Sequence, residues 1–308
     1  MRKSKRCLRI GTRGSDLALA QTEQVLQILR ERWPHYTYEI VKIKTTGDKV
    51  RNLALPRIGG KGLFTKELEV ALLEEKIDLA VHSLKDLPTE LPEELCVGAV
   101  LPREHPGDVL ISLTGAGLED LPEGARIGTS SLRRQAQLKA ARPDLNFVPL
   151  RGNVPTRLRK LEKGECEAVV LAWAGLRRLR LDLTGRMTLL PYQVCLPAVA
   201  QGAIGVEMRK EDRELRKMVE VLDDPTTRLE VTAERAFLRW LGGGCHVPIA
   251  ALARVAGAEI LLEGLVADPE GKRIVRGQES GSTAYPEEVG IRLAERLLRE
   301  GAEELLRG

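Results

Sequence analysis

Arg9-Ile10-Gly11-Thr12-Arg13-Gly14-Ser15 and, far along the chain, Arg126-Ile127-Gly128-Thr129-Ser130-Ser131 follow one pattern: a short apolar run, small hydroxyl residues, then helical spacing. Around the first copy, Leu8–Thr12 reads as a strand feeding a helix over Asp16–Arg32 that stops at Pro34. Thr37–Lys44 is rich in β-branched residues and reads as the next strand. Phe64, Leu68, Ala71 and Leu72 recur at helical spacing, so Leu63–Glu75 is an amphipathic helix. Asp78–His82 and Leu95–Val100 are short strands. The second copy restarts the series, with a helix over Ser131–Ala141, a strand at Asn146–Leu150, a helix at Val154–Lys163 and a buried strand at Ala168–Ala172. Such alternation is βαβ patterning and implies largely parallel sheets. The expectation is two similar α/β lobes with a ligand in the cleft between them.

Near Leu196 the chain changes character. Ala203–Met208 reads as one more strand, followed by the charged segment Arg209–Lys217. Helical spacing resumes over Pro225–Leu241 and ends at Gly242-Gly243-Gly244. Ile249–Val255, Glu259–Ala267 and Arg273–Gln278, separated by turn residues, read as antiparallel strands. A closing helix over Pro286–Leu306 places Ile291, Ala294 and Leu298 on one face. The expected domains are 1–101 with 198–220, then 104–196, then a smaller α+β domain over 222–308.

Composition bounds the function. With 43% hydrophobic and 30% charged residues among 308, the chain is ordinary globular protein and not disordered. Aromatics at 3% leave an aliphatic core and little stacking surface for single-stranded nucleic acid. The balance of 48 Lys+Arg against 44 Asp+Glu, net +4, excludes a polybasic coat. Arg supplies 33 of those cations, an excess that a GC-rich genome or a heat-adapted source explains as a whole, so only its placement bears on a ligand. The basic start, Arg2 to Arg6, has no apolar core behind it, and no run reaches the ~20 apolar residues of a membrane helix. Five scattered cysteines without C-x-x-C spacing fit neither a disulfide framework nor a zinc site. A cytoplasmic protein with reduced thiols is expected, and nothing demands more than a monomer.

Placement is informative. Thr12-Arg13-Gly14-Ser15 and Thr129-Ser130-Ser131 lie at strand-to-helix turns, where free N–H groups and the helix dipole favour anions. Simple N-capping by Ser15 and Ser130 accounts for the hydroxyls equally well. The cations added at strand ends favour a ligand: Arg13, Lys61 in Gly59-Gly60-Lys61-Gly62, Lys85, Arg133-Arg134, Arg151 before Gly152, Arg157 and Arg177-Arg178. Together they suit a molecule bearing many negative charges. Asp86, beside Lys85, is the exception; it either pairs with that lysine or stabilises a cation developing on the substrate. Cys245 follows three glycines on a loop and is a candidate nucleophile or attachment point, whereas Cys7, Cys96, Cys166 and Cys195 lie in or beside apolar runs.

These residues resemble the hydroxymethylbilane synthase, or porphobilinogen deaminase, family. The likeness rests on Gly11-Thr12-Arg13-x-Ser15, Gly60-Lys61-Gly62-Leu63-Phe64, His82-Ser83-Leu84-Lys85-Asp86-Leu87-Pro88, Gly128-Thr129-Ser130-Ser131-Leu132-Arg133-Arg134, Leu150-Arg151-Gly152-Asn153 and Gly243-Gly244-Cys245. The resemblance implies two lobes like type II periplasmic binding proteins plus a third domain. It implies four porphobilinogens joined head to tail with loss of ammonia, and a dipyrromethane cofactor held by a thioether at Cys245. It assigns catalysis to Asp86 and carboxylate binding to Arg13, Lys85, Arg133, Arg134, Arg151, Arg157 and Arg178, and Lys61 is expected to bind substrate beside them. Ser15, Thr129, Ser130, Ser131 and Gly152 supply further contacts. Gly14 and Asp16 flank Ser15 where the family has Gln and Pro, and Ala200 stands where it has Gly. A two-lobed polyanion binder without chemistry is the alternative, and it has no need of Asp86 or of the Cys245 loop.

Overall fold

Each restarting motif becomes the second strand in the order of a five-stranded sheet. The computed structural model describes residues 7–49, 62–242 and 247–307, so Lys61 and Cys245 lie outside the described residues. The chain divides into two compact units, residues 1–103 with 203–228 and residues 104–202 with 229–308.

In the first unit β1 (Cys7–Arg13) pairs in parallel with β2 (Thr37–Ile43) and β3 (Leu79–Ser83). The apolar run of the return segment forms β10 (Ile204–Arg209), antiparallel to both β3 and β4 (Leu95–Val100). The order is β2-β1-β3-β10-β4. Helix α1 (Asp16–Arg32) starts where Ser15 Oγ accepts the Ala18 N–H at 3.3 Å, and it buries Val25, Leu26 and Leu29 against the sheet. A four-residue turn, α2 (Thr46–Lys49), and α3 (Lys66–Leu73) complete the early part. The charged return segment is partly helical after all. Asp212 caps α7 (Arg213–Val219), whose Leu215, Met218 and Val219 are buried, while Arg209 donates to the carbonyls of Leu72 and Ile77.

The second unit repeats the plan. β6 (Arg126–Gly128) pairs in parallel with β7 (Asn146–Val148) and β8 (Ala168–Ala172). Two strands go beyond the sequence expectation: β5 (Asp108–Ser112), antiparallel to β8, and the three-residue β9 (Met187–Leu189). β5 is buried throughout, so it shows no alternation. Between strands run α4 (Leu132–Ala141), α5 (Val154–Glu162) and α6 (Trp173–Arg178).

Beyond α8 (Pro225–Trp240), β11 (Ile249–Ala256), β12 (Glu259–Ala267) and β13 (Ile274–Ser282) form an antiparallel sheet covered by α9 (Pro286–Leu297). The core face of α9 is Val289, Leu293, Ala294 and Leu297; Ile291 and Leu298 are only half-buried, a correction to the expected face. The closing helix also breaks at Gly301, whose φ of 107° is non-helical, leaving α10 (Glu303–Arg307) beyond it. This sheet seats on α4 through Ala136, Leu196, Leu252 and Leu265. Gly271 makes the approach possible, because a Cβ there would stand 2.1 Å from the Ala136 carbonyl oxygen. The result is the expected fold class, mixed α/β with two parallel-rich sheets and a smaller α+β portion. Among the described residues no helix is long and apolar enough to cross a membrane.

Candidate active site

In the first unit, parallel pairing puts the ends of β1 and β3 on one edge of the sheet. Arg13 leaves β1 there and is held by Asp48 at 2.5 Å and by the Phe64 ring, 4.2 Å from its guanidinium carbon. Burial by itself would raise the Asp48 carboxyl, yet hydrogen bonds from Arg13 and Thr45 carry it below the usual carboxylate range. At the end of β3, Ser83 Oγ lies 2.9 Å from Gln21 Nε2 of α1. Leu84 then opens a 3-10 turn, Leu84–Asp86; it is buried, and its N–H donates to the Ala203 carbonyl at 3.0 Å. Because Leu84 and Leu87 point inward, Lys85 and Asp86 are exposed between them. Asp86 makes no hydrogen bond or ion pair with a described residue, so the structural pairing with Lys85 is not formed.

In the second unit the ends of β6, β7 and β8 share an edge in the same way. Here the N-cap is Ser131, not Ser130: Ser131 Oγ accepts the Arg134 N–H, while Ser130 Oγ donates to the Leu150 carbonyl at 3.1 Å. Thr129 is buried, and its hydroxyl accepts the Ser131 N–H. Arg151 is half-buried beside Gly152, whose φ of 115° suits only glycine, and Arg157 Nε donates back to the Gly152 carbonyl. Arg178 ends α6 and donates to the Gly202 carbonyl at 2.6 Å, but its Nε is buried with no partner among the described residues. Burial draws that guanidinium down to about 10, opposed by Glu104.

Arg133 and Arg134 turn inward and share one carboxylate. Asp108 of β5, fully buried, accepts from both at 2.7 Å and from Gln201 at 2.9 Å. Burial would raise Asp108, but the two guanidinium charges hold it far below the usual range. The same burial, with the Asp108 charge, pushes the neighbouring Cys195 thiol up to about 12. Sequence reading missed Asp108, Asp48 and Gln21; an acidic residue opening the apolar run Val109-Leu110-Ile111 was the available signal for the first. Asp108→Asn is expected to cost about 3–5 kcal/mol in urea unfolding near neutral pH, because two buried cations lose their counter-charge. The sign with pH follows: a depressed carboxyl stabilises above its unfolded value and loses that as pH falls, so the wild-type advantage should shrink in acid.

Ala200, which stands where the family pattern has Gly, keeps a glycine-like backbone. Its φ is 57°, the left-handed region that favours glycine. Glu234, buried on α8, holds it there by accepting the Ala200 N–H at 2.6 Å and the Ala253 N–H at 2.8 Å.

Residues 8–217 match the family model of the dipyrromethane cofactor-binding domain of porphobilinogen deaminase, and residues 228–299 match that of its C-terminal domain. The chain belongs to the porphobilinogen deaminase family. A porphobilinogen deaminase of Desulforudis audaxviator is 56% identical over 298 residues, 96% of each chain. That of Moorella thermoacetica is 54% identical over 97% of this chain and 95% of its own. A probable amino-acid ABC transporter extracellular-binding protein of Bacillus subtilis is similar in structure at 17% identity and TM-score 0.41, over 78% of this chain and 99% of that one. The porphobilinogen deaminase family is one of transferases of tetrapyrrole biosynthesis, hydroxymethylbilane synthases that use a dipyrromethane cofactor. The described donors fit such a group, whose two rings carry four carboxylates. Two guanidinia share one carboxylate, and the Nε atoms of Arg134 and Arg178 are buried without acceptors among the described residues.

Proposed function

We propose that the chain joins four porphobilinogens head to tail, releasing ammonia at each step, and frees linear hydroxymethylbilane by hydrolysis. Asp86 is the catalytic carboxylate. It accepts the pyrrole N–H groups and stabilises the azafulvenium-like cation left on the substrate when its carbon–nitrogen bond breaks and ammonia departs. Cys245 carries the dipyrromethane through a thioether, and the glycines before it serve as a tether. When bound, that group supplies the primer on which the chain is built. Lys85, Asp86, Thr129–Ser131, Arg133, Arg134, Arg151 and Gly152 hold it; Arg13, Ser15, Lys61, Arg151, Arg157 and Arg178 take the carboxylates of incoming units. The three domains 1–101 with 198–220, 104–196 and 222–308 divide this work. A cytoplasmic monomer without nucleic-acid partners fits the same reading.

The observation that carries it is Arg178, a guanidinium withdrawn from water with a buried Nε that meets no acceptor among the described residues. An anionic ligand would add the counter-charge that burial makes this guanidinium need. For a base whose folded value is depressed, the penalty on the charged form holds below about 10 and fades as pH rises through it. Arg178→Leu should therefore keep or gain thermal stability near neutral pH. It should lose roughly 30-fold or more in kcat/KM for porphobilinogen, the cost of truncating a buried charge-assisted contact. The reading as a whole is tested by supplying porphobilinogen and following ammonia release, hydroxymethylbilane and intact protein mass. Consumption with one ammonia per pyrrole and a mass excess of two pyrrole units is expected. No consumption, or turnover by protein of bare sequence mass, overturns it.

A further inference from the structure

Beneath the turn that carries Asp86, His82 and Glu207 meet inside the first unit. His82 Nε2 lies 2.9 Å from Glu207 Oε2, and the side chains are 3% and 0% exposed. They stand on the paired strands β3 and β10, where Gly205 faces His82 and Glu207 faces Ala80, so the two side chains meet on a diagonal. Glu207 Oε1 is buried with no hydrogen-bond partner among the described residues. From α3, Glu69 adds a second carboxyl with a buried Oε1; burial pushes this group up, opposed first by Thr65, and the Glu207 charge adds to the rise against the pull of His82 and Lys66.

Such an arrangement is a poor way to gain stability. A buried polar or ionic pair is often matched or bettered by apolar side chains of the same volume, and a carboxyl with one oxygen unsatisfied is costlier still. What the pair provides, and apolar packing does not, is direction: a hydrogen bond that sets the angle of one short strand against its neighbour. β3 has five residues, and Asp86 follows its last residue after two more. On the opposite side, Ser83 is tied to Gln21 of α1.

We propose that Glu207, acting through His82, is a positioning residue for Asp86, holding the end of β3 so that the exposed carboxylate stands where the substrate cation forms. The inference rests on the reading of Asp86 as the catalytic carboxylate. A double-mutant cycle of Glu207→Gln with Asp86→Asn tests it in the full-length protein, with active sites counted by covalent cofactor mass so that misfolded molecules do not enter kcat. Glutamine keeps an acceptor for His82 but removes the charge. Glu207→Gln is expected to lower kcat on the order of 10- to 100-fold, the cost of a small misplacement. KM should stay within about twofold, the split expected when only transition-state interactions are lost. In the Asp86→Asn background the same change should cost nothing further. Wild-type kcat in Glu207→Gln, or losses that multiply in the double variant, overturn the proposal. Near-normal turnover of Asp86→Asn alone sinks the catalytic reading instead, and is seen without the Glu207 arm. If Glu207→Gln does not fold, His82→Gln, which can still donate to Glu207, enters the same cycle.

Discussion

Asp86→Asn should fold, bind porphobilinogen with near-normal KM and lose roughly 10²–10³-fold in kcat, the usual cost of removing one preorganised electrostatic stabiliser. The amide keeps the shape of the side chain and can still accept a hydrogen bond from a pyrrole N–H. It lacks the negative charge that the ground state hardly needs and the departing-ammonia transition state does. At about 4 Å and an effective dielectric near 20, one unit charge on another is worth roughly 4 kcal/mol, enough for such a loss. In the free protein Asp86 is exposed, so the effect develops only when bound substrate displaces water around it. Little structural cost is expected, since no described residue depends on this carboxylate. The check is kcat and KM from ammonia release. A kcat within about tenfold of wild type, or a loss confined to KM, would falsify the assigned role.

Cys245→Ser should abolish the covalent mass excess and nearly all turnover. Thioether formation needs a thiolate, accessible to cysteine near neutral pH when its surroundings favour ionisation and not to a serine hydroxyl. The other cysteines cannot substitute. Cys166 and Cys195 are buried, and burial pushes both thiols up, the latter to about 12. Cys96 is half-buried in strand β4, and Cys7 opens β1 at the amino ends of the parallel strands, opposite the edge that carries Arg13 and Asp86. Intact-mass measurement of the purified variant decides the point. A retained excess of two pyrrole units would show that another side chain carries the cofactor.

Much of this was legible in the sequence because it is written in local chemistry. The strand-to-helix turns at Thr12–Ser15 and Thr129–Ser131 and the apolar run at 168–172 announce themselves through spacing and residue type. The family motifs then give the cations their expected roles. β5 and β9 were not legible: the apolar part of β5 is only Val109-Leu110-Ile111, too short a run to mark a strand, and a three-residue edge strand has no period to show. The identity of the α4 cap was also hidden, since Ser130 and Ser131 have the same capping chemistry and only the chain path distinguishes them.

The sequence alone determined the two α/β lobes, the antiparallel sheet that follows them and the surplus of cations at strand ends, because each depends on residues close together along the chain. Only the tertiary structure decided which charges already have protein partners. Arg133 and Arg134 divide Asp108, which lies 25 and 26 residues away. His82 finds Glu207 across 125 residues. Arg178 keeps a buried donor unfilled among the described residues. Pairing and burial are long-range properties: a charge's energy depends on its neighbours in space and on the water removed around it, and residue spacing specifies neither.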